Sequence, residues 1–584
     1  MSPPTGFETV LDAAPASLPP IDPAVGGLSR ARAGSSALFV EGRRAYVQTG
    51  TSRDQGTTIV IDGVPTLRDL RAPLGAVANI HLTPGLLRRE RVGARGTVTE
   101  TVLVAPTLPL IWIEWSTAGS PLPGDVLLTL DHEVGEGAPT TLAQTERGIV
   151  LAAGGGRALA ITACGGSVRV RREGPNLAVN PDVRASTGRL TLVLAVGTPR
   201  ELRTALVASA HVGAHAIRAA SGPEGGTVLQ TGVAEVDEGF AWARARVEGS
   251  AFRHRATLPL GLGALAGGDE ASARQVLDRL RPRTVEHALL AGRFAATFGD
   301  SGPALSAAGA LVATEGRSGP AGPRALAARS LSEALRYAAP DAVTAELATI
   351  GRSLRSPERS GRALPMAGPR PAPREPAPEA ESAWLAGLFE GRPSHPPGEA
   401  VRPSIVSIRE SSALFATDPD SAWVMWRGLL DRGLQDGPAG PATWDTPEES
   451  ATDGPACAEL VQALMHGMLG VAPDAPVGRI RIAPRFPGHL RSFTVGGIAL
   501  GETRLRLAYE RRGDRHRFTV APEHAAVPPL LVLEPTVRGR IRSIRIDGEP
   551  AELDVRETGL LSTVPVQLPV DGERTLDVTA EAPS

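Results

Sequence analysis

Residues 455–487, PACAELVQALMHGMLGVAPDAPVGRIRIAPRFP, join a helical pattern to a strand pattern without a break. The apolar residues first recur at the spacing of a buried helix, which we expect to begin near Pro455 and to end near Leu469, just before Gly470. In Arg479–Ile482 the spacing changes to two, and the same alternation of arginine with apolar residues returns later in the chain. This alternation predicts half-buried antiparallel strands. The sequence therefore predicts a helical domain that passes directly into a β-sandwich.

The chain between Ser36 and about Thr231 has the pattern of an all-β domain. Short β-branched or alternating runs are separated by Gly, Pro and Asp turns. The strongest runs are Ala37–Val40, Thr57–Ile61, Gly96–Val104, Leu110–Trp115, Val126–Leu130 and Leu190–Leu194. Many short strands at this spacing predict a large sandwich.

From Val236 to Leu469 helical patterns dominate, and they come in pairs. The predicted helices are Phe240–Val247, Glu270–Leu280, Val285–Phe298, Ala304–Thr314, Arg324–Ala338, Ala342–Ile350, Ser382–Phe389, Ser421–Leu430 and the helix after Pro455. Helix pairs cannot bury their apolar faces singly, so they stack into a solenoid or close into a ring. A closed ring of six pairs needs more helices than this pattern predicts. Either some loops contain helices or the ring is incomplete.

Composition limits the possible partners. The chain has 61 basic and 63 acidic residues, which gives no electrostatic reason for binding nucleic acid or a membrane surface. Every basic residue is an arginine, so mechanisms that need a Schiff-base or P-loop lysine are excluded. Cys164 and Cys457 lie in apolar surroundings and are expected to be buried thiols. With no metal-ligand spacing, signal peptide or membrane span, we expect a soluble cytoplasmic protein without metal or cofactor. The oligomeric state stays open.

Two parts of the chain resemble a known superfamily. Ala456–Leu464, Gly467–Asp474 and Gly478–Pro487 resemble the end of the catalytic domain in six-hairpin glycosidases, with debranching-type amylo-glucosidases closest. Leu82–Arg89 and the strand Val98–Val104 resemble the sandwich that precedes the ring in that superfamily. The resemblance implies an N-terminal β super-sandwich at residues 1–231, a central (α/α)6-type toroid at 232–474 and a C-terminal antiparallel β-sandwich at 475–584. It also implies a carbohydrate partner, an α-glucan or a smaller glycoside.

Glycoside hydrolysis needs two carboxyl groups across the scissile bond, one as general acid and the other as base or nucleophile. In debranching-type relatives the acid lies shortly before a tryptophan-bearing helix, and the base lies shortly before the last helix of the ring. Carried over to this chain, the resemblance assigns Glu381, or Glu379, as the acid and Glu449, or Glu448, as the base. The competing interpretation is that these glutamates are surface residues or acids favoured at helix starts by the helix dipole.

Tryptophan rings beside these acids suggest where a sugar would bind. Trp384 follows the first pair of glutamates, and Trp444 with Asp445 precedes the second, so these three residues are the candidates for substrate binding. The proline-rich segment 354–404 is either a flexible insertion or a loop over the mouth of the ring. Trp423 and Trp426 stand three residues apart and are expected in the core.

Departures from the family leave other functions open. Debranching-type members carry an Arg-Asp cluster at the start of the second ring helix, whereas residues 251–257 here read AFRHRAT and lack the aspartate. One alternative is therefore a catalytically degenerate carbohydrate-binding or scaffold protein of the same fold. Another is a glycoside phosphorylase, with an anion site near a single acid. A polysaccharide lyase is disfavoured, because Tyr337, the one tyrosine of the helical region, is expected to face the core.

Overall fold

This computed structural model describes most of the 584 residues in segments. The described residues are 6–15, 18, 29–30, 37–50, 57–71, 75–83, 85–93, 96–105, 107–117, 126–130, 140–146, 148–164, 168–173, 176–181, 188–220, 226–253, 256–313, 321–352, 405–435, 454–524, 527–552 and 554–581. They form two compact units. One holds the described residues within Met1–Glu224, Ala241–Arg253 and Leu430–Asp453, and the other those within Gly225–Phe240, His254–Leu429 and Gly454–Ser584.

The first unit contains sixteen strands among its described residues. They are β1 (Ser29–Arg30), β2 (Ala37–Glu41), β3 (Ala45–Gly50), β4 (Thr58–Ile61), β5 (Val64–Arg71), β6 (Ala76–Thr83), β7 (Leu86–Gly93), β8 (Gly96–Val104), β9 (Leu110–Thr117), β10 (Val126–Leu130), β11 (Thr141–Thr145), β12 (Gly148–Ala153), β13 (Arg157–Cys164), β14 (Val168–Glu173), β15 (Asn176–Pro181) and β16 (Arg189–Gly197). A nine-stranded sheet has the order β1-β6-β7-β8-β9-β16-β13-β12-β11, and a seven-stranded sheet has the order β14-β15-β10-β5-β4-β3-β2.

The two sheets share one hydrophobic core, as the alternation in β9 illustrates. Ile111, Ile113 and Trp115 point into the core between the sheets, while Trp112 points to the opposite face of the nine-stranded sheet. Both faces of β9 are therefore buried, which explains the unbroken apolar run Leu110–Ile113. The strands expected from the sequence in this region are confirmed.

The all-β prediction for residues 36–231 is wrong at one place. Helix α1 (Pro199–Ala220) follows β16, and its Leu202 and Leu206 join Trp112 on the outer face of the nine-stranded sheet. A sheet with apolar residues on both faces needs a second cover, and this helix supplies it. Its apolar residues lie three and four positions apart, a helical signal that the sequence interpretation passed over.

Ten further helices are described. They are α2 (Ala234–Arg253), α3 (Leu258–Ala266), α4 (Glu270–Arg279), α5 (Val285–Phe298), α6 (Gly302–Ala313), α7 (Ala321–Leu335), α8 (Asp341–Arg352), α9 (Ile405–Leu414), α10 (Pro419–Gln435) and α11 (Gly454–Gln462), which continues as a π-helix over Ala463–Met468. The predicted helices in the described segments are confirmed, and α3 and α9 are additional. The predicted helix Ser382–Phe389 lies outside the described residues. No described helix is long and apolar enough to cross a membrane.

Alternate helices of the second unit pack side by side. Helix α3 contacts α5, α5 contacts α7, and α9 contacts α11. Helix α11, the last of the series, contacts α3. Short connections such as Gly267–Asp269 reverse the chain between consecutive helices, so that α3 and α5 run in the same direction.

Two glycines let α3 approach its neighbours closely. A Cβ atom on Gly261 would lie 2.4 Å from a methyl group of Leu290 on α5. A Cβ atom on Gly263 would lie 2.4 Å from the Cβ of Ala458 on α11. Every residue of α3 is buried, and the sequence LPLGLGALA has no polar face. The helix was not predicted because it lacks the one-sided pattern on which the sequence analysis relied.

The C-terminal strands form three sheets. The strands are β17 (Val228–Gln230), β18 (Ala472–Asp474), β19 (Arg479–Ile482), β20 (Ser492–Leu500), β21 (Thr503–Arg512), β22 (Arg515–His524), β23 (Leu530–Leu533), β24 (Thr536–Arg538), β25 (Ile541–Ile546), β26 (Glu549–Pro550), β27 (Arg556–Thr558), β28 (Leu561–Thr563), β29 (Val566–Pro569) and β30 (Arg574–Ala580). The sheet orders are β17-β20-β21-β22-β30-β25-β26, β18-β19-β23-β29 and β24-β28-β27.

One pairing departs from the predicted antiparallel sandwich. Strand β19 pairs in parallel with β23, with Arg479 opposite Leu530. The chain leaves β19, forms β20 to β22 in another sheet, and returns to β19 in the same direction. Burial alternates along β19 as predicted, because Ile480 and Ile482 are buried while the two arginines are exposed. The strand pattern therefore predicts which side chains are buried but not the direction of the neighbouring strand.

Candidate functional site

The predicted site residues all lie outside the described part of the chain. They are Glu379, Glu381, Trp384, Trp444, Asp445, Glu448 and Glu449, and the proline-rich segment 354–404 lies outside it as well. Their assignment therefore stays a prediction. The described elements that follow these segments in the sequence are α9, which begins at Ile405, and α11, which begins at Gly454.

A buried ion pair joins α9 to α11. The carboxylate of Glu459 on α11 accepts hydrogen bonds from Nε of Arg409 at 3.1 Å and from a terminal nitrogen of the same guanidinium at 2.8 Å. The side chain of Glu459 is 2% exposed and that of Arg409 is 13% exposed. Both hydrogen bonds reach one oxygen, Oε1. Water is largely excluded here, so the attraction between the two charges is strong and either charge alone would be costly to bury.

A second polar contact joins α11 to the beginning of α3. Nε2 of Gln462 donates to the carbonyl oxygen of Pro259 at 3.3 Å and to that of Ala458 at 3.2 Å. Pro259 lies in the first turn of α3, and its carbonyl oxygen has two lone pairs, so it can accept from Gln462 in addition to a bond within its own helix. Arg409, Glu459 and Gln462, which we call the polar cluster, therefore tie α11 to α9 and to the first turn of α3.

This cluster was not predicted from the sequence, although two polar residues in an otherwise apolar helix indicate it. Glu459 and Gln462 are the only strongly polar side chains in the run from Gly454 to Gln462, and nearly the whole run is buried. A charged residue in a helix that is buried on every side must find a partner in the protein. Its partner Arg409 lies 50 residues earlier in a helix that was not predicted.

We expect Glu459→Gln to lower the free energy of unfolding by about 1–3 kcal/mol, because the amide cannot replace the charge-assisted bonds from Arg409. Urea unfolding of the full chain would measure the change. The matched control is Glu333→Gln, which removes an exposed pair with Arg329 and should cost less than about 1 kcal/mol. Equal effects of the two substitutions would contradict the assignment of a buried, structural ion pair.

Two carboxyl groups at the start of α2 have raised pKa values. Burial raises the pKa of Asp237 even though Thr231 donates to it through its backbone N–H and its hydroxyl, both at 2.8 Å. Burial, with the nearby charges of Glu235 and Asp237, raises the pKa of Glu238. The hydrogen bonds tie Asp237 to the turn that precedes the helix, so this carboxyl group fixes the helix start.

His466 lies in the π-helical end of the last helix. Its Nδ1 is 2.9 Å from the carbonyl oxygen of Val471, and burial lowers its pKa to about 4. The ring is therefore neutral at pH 7, and its Nδ1–H donates because a carbonyl oxygen only accepts. This bond ties the helix end to the turn at Gly470, where φ is +58°. His466 therefore helps to fix the chain where the π-helix ends and the strands begin. The wider turn of the π-helix leaves room for its ring.

Three aromatic residues settle two further expectations. Trp423 and Trp426 are buried and stacked, with ring centroids 5.4 Å apart, and Nε1 of Trp426 donates to the carbonyl oxygen of Leu460 at 3.1 Å. Their predicted place in the core is confirmed. Tyr337 is 74% exposed, so its expected core-facing position is wrong. It lies two residues beyond the end of α7, where the chain has already left the helix.

Within the described residues, no group of three or more His, Cys, Asp and Glu side chains is placed to hold a metal ion. Cys164 and Cys457 are buried thiols, as expected.

No family model and no curated protein matches this chain. Solved structures that resemble it are glycoside hydrolases. A bacterial glucoamylase complexed with acarbose has 8% identity and a TM-score of 0.49, over 78% of this chain and 96% of that one. An α-L-rhamnosidase from Dictyoglumus thermophilum has 10% identity and a TM-score of 0.40, over 95% of this chain and 82% of that one.

A third similar structure is a family GH92 α-mannosidase from Bacteroides thetaiotaomicron in complex with mannoimidazole. It has 10% identity and a TM-score of 0.36, over 97% of this chain and 93% of that one. TM-scores below 0.5 at such identities do not establish a shared fold. The activity of this chain therefore has to be argued from its own residues.

Proposed function

We propose that the protein is a carbohydrate-active protein of the glycoside hydrolase type, which cleaves a glycosidic bond in an α-glucan or a smaller glycoside. The proposal includes an (α/α)6-type toroid as the catalytic domain, at residues 232–474, between a β super-sandwich and a C-terminal β-sandwich. The debranching-type amylo-glucosidases remain the subgroup that the sequence resembles most.

One observation carries this proposal: the last helix of the series, α11, packs against the early helix α3 and then continues directly into strands. The contact supports closure of the helices into a ring. The same residues carry the resemblance to six-hairpin glycosidases, because Ala458 contacts Gly263 of α3, and Gly470 makes the turn that leads to β18 and β19. The residues that resemble six-hairpin glycosidases are therefore also the residues that pack against α3 and lead into the strands.

The proposed catalytic pair is Glu381 as general acid and Glu449 as base or nucleophile, with Glu379 and Glu448 as their neighbours and competitors. In the sequence Glu449 stands five residues before Gly454, where α11 begins. The buried pair Arg409–Glu459 supports this site indirectly, because it fixes the helices from which the predicted loops extend. Trp384, Trp444 and Asp445 are proposed to contact the sugar.

This proposal can be tested by incubating the full chain with maltotetraose and with a set of nitrophenyl α-glycosides. Each incubation is run with and without inorganic phosphate. We expect hydrolysis that does not need phosphate. Release of sugar phosphate that depends on inorganic phosphate would make the protein a phosphorylase. Sugar binding without turnover would make it a degenerate member of the fold. The absence of both binding and turnover would refute a carbohydrate function.

A further inference from the structure

The second unit contains a pocket of about 800 Å³ between the start of α10 and the C-terminal strands. Asp420 in the first turn of α10, Phe486 in the loop before β20, and Arg538 on β24 line it, together with Tyr509 and His516 on β21 and β22. None of the described residues that line this pocket was predicted to be catalytic. Asp420 follows the C-terminal end of α9, whereas the predicted glutamates precede α9 and α11 in the sequence.

The floor of the pocket is aromatic and uncharged. The ring of Phe486 stacks on Tyr509, with centroids 4.2 Å apart and planes 21° from parallel. The hydroxyl of Tyr509 is 2.9 Å from Nδ1 of His516, and both residues are buried. Burial raises the pKa of Tyr509 to about 12 and lowers that of His516 to about 4. At neutral pH the two side chains therefore form a neutral hydrogen-bonded pair.

The rim carries both negatively charged hydrogen-bond acceptors and positively charged hydrogen-bond donors. Asp420 Oδ1 accepts from the backbone N–H of Gly488 at 2.7 Å, and Arg538 donates to Asp420 Oδ2 at 3.3 Å. Arg511 donates to the carbonyl oxygens of Gly488 and Gly513, and Asp514 lies at the same rim. These bonds hold the Phe486 loop in place from two sides, so the rim is built before any ligand arrives.

The chemistry of this lining selects a class of ligand. Among the described residues that line the pocket, Arg511 and Arg538 balance Asp420 and Asp514, so these side chains together would not attract a strong anion or cation. The guanidinium of Arg538 is 51% exposed and the carboxylate of Asp420 is 38% exposed, so both donors and acceptors are accessible. A ligand that suits this lining has an apolar face for the Phe486 ring and neighbouring hydroxyl groups that both donate and accept. Sugars have this combination.

We propose that this pocket binds one or two residues of a neutral saccharide through the described residues that line it. The Phe486 ring packs against the C–H face of the sugar, Asp420 accepts from its hydroxyl groups, and Arg538 donates to them. The assignment rests on the chemistry of the pocket and is independent of the proposed hydrolase activity.

Calorimetric titration of the full chain with maltotetraose, cellotetraose and mannotetraose tests this assignment. We expect at least one of them to bind, and Phe486→Ala to weaken that binding about tenfold or more. Asp420→Asn keeps the acceptor for Gly488 but removes the charge, and it should also weaken binding. The matched control is Tyr337→Ala, which removes an exposed ring elsewhere and should bind as the unmodified protein does.

The outcomes separate this assignment from the proposed activity. Turnover of a small nitrophenyl glycoside by either pocket variant should equal that of the unmodified protein, whether that turnover is high or zero. Thermal unfolding shows whether each variant is folded. If Phe486→Ala does not fold, the saccharide binding of Asp420→Asn decides the question. Failure of all three saccharides to bind, unchanged binding in Asp420→Asn, or binding of inorganic phosphate in their place would overturn the assignment.

Discussion

Replacing Glu449 with Gln should reduce the turnover of a glycoside by about 10² to 10⁴-fold while sugar binding persists. Glutamine keeps the shape of glutamate and can still form hydrogen bonds, but it cannot accept or deliver the proton. The same loss is expected for Glu381→Gln, since a general acid without its proton cannot assist the leaving group. Steady-state kinetics and equilibrium sugar binding on the same preparations would separate turnover from affinity.

The neighbouring glutamates provide matched controls for this prediction. Glu448→Gln and Glu379→Gln change the same residue type one or two positions away and should keep most of the activity. If Glu448→Gln or Glu379→Gln causes the large loss while its neighbour does not, the role moves to that residue. Full activity in both Glu381→Gln and Glu449→Gln would eliminate the paired-carboxylate assignment altogether.

Glu100→Ala should destabilise the first unit by about 3–5 kcal/mol, the largest stability effect that we expect from a single substitution. Arg89 on β7 stands directly opposite Glu100 on β8 and donates to it at 2.6 Å. Arg91 donates to the other carboxylate oxygen, also at 2.6 Å. The side chains of Arg89 and Glu100 are 2% and 3% exposed, so water cannot compensate for a lost partner.

The pKa directions agree with this view of the cluster. Burial alone would raise the pKa of Glu100, but the charges of Arg89 and Arg91 outweigh burial and hold it below its usual value. Burial lowers the pKa of Arg89, and Glu100 opposes that effect. Without the carboxylate, Arg89 loses this ion pair and keeps its hydrogen bond to Thr49, whose hydroxyl accepts at 2.8 Å. A buried guanidinium between the two sheets would then have lost its pairing with Glu100.

Denaturant unfolding of the full chain, followed by tryptophan fluorescence, would measure the effect of Glu100→Ala. The double variant Arg89→Met/Glu100→Leu removes both buried charges and should recover most of the lost stability, because apolar side chains of similar size suit this site. A loss of less than about 1 kcal/mol in Glu100→Ala, similar to that of an exposed pair, would contradict the account of the cluster.

The elements that could be predicted from the sequence are those with a local signal. Helix α5 was predicted with its observed bounds, because Thr284 caps its start by accepting from the N–H of His287, and Gly299 ends it with a φ of +82°. Helix α3 has neither a polar face nor a side-chain cap, since its apolar surface is shared among several neighbours. A period-based interpretation cannot detect such a helix.

Interactions between distant residues could not be predicted. Arg409 and Glu459 are 50 residues apart, and Asp420 and Arg538 are 118 residues apart, so no spacing rule connects them. The parallel pairing of β19 with β23 depends on how the chain crosses between sheets, which strand alternation does not encode. The predicted catalytic glutamates rest on resemblance alone, because they stand in loop-like sequence between helices.

The distance between the carboxyl groups of Glu381 and Glu449 tests the central claim most directly. A crystal structure of the full chain with a bound saccharide would measure it. We expect the two groups to face each other across one cavity, about 5–5.5 Å apart in a retaining enzyme or about 6.5–9.5 Å apart in an inverting one. A separation well beyond about 12 Å, or a saccharide bound away from both groups, would contradict it.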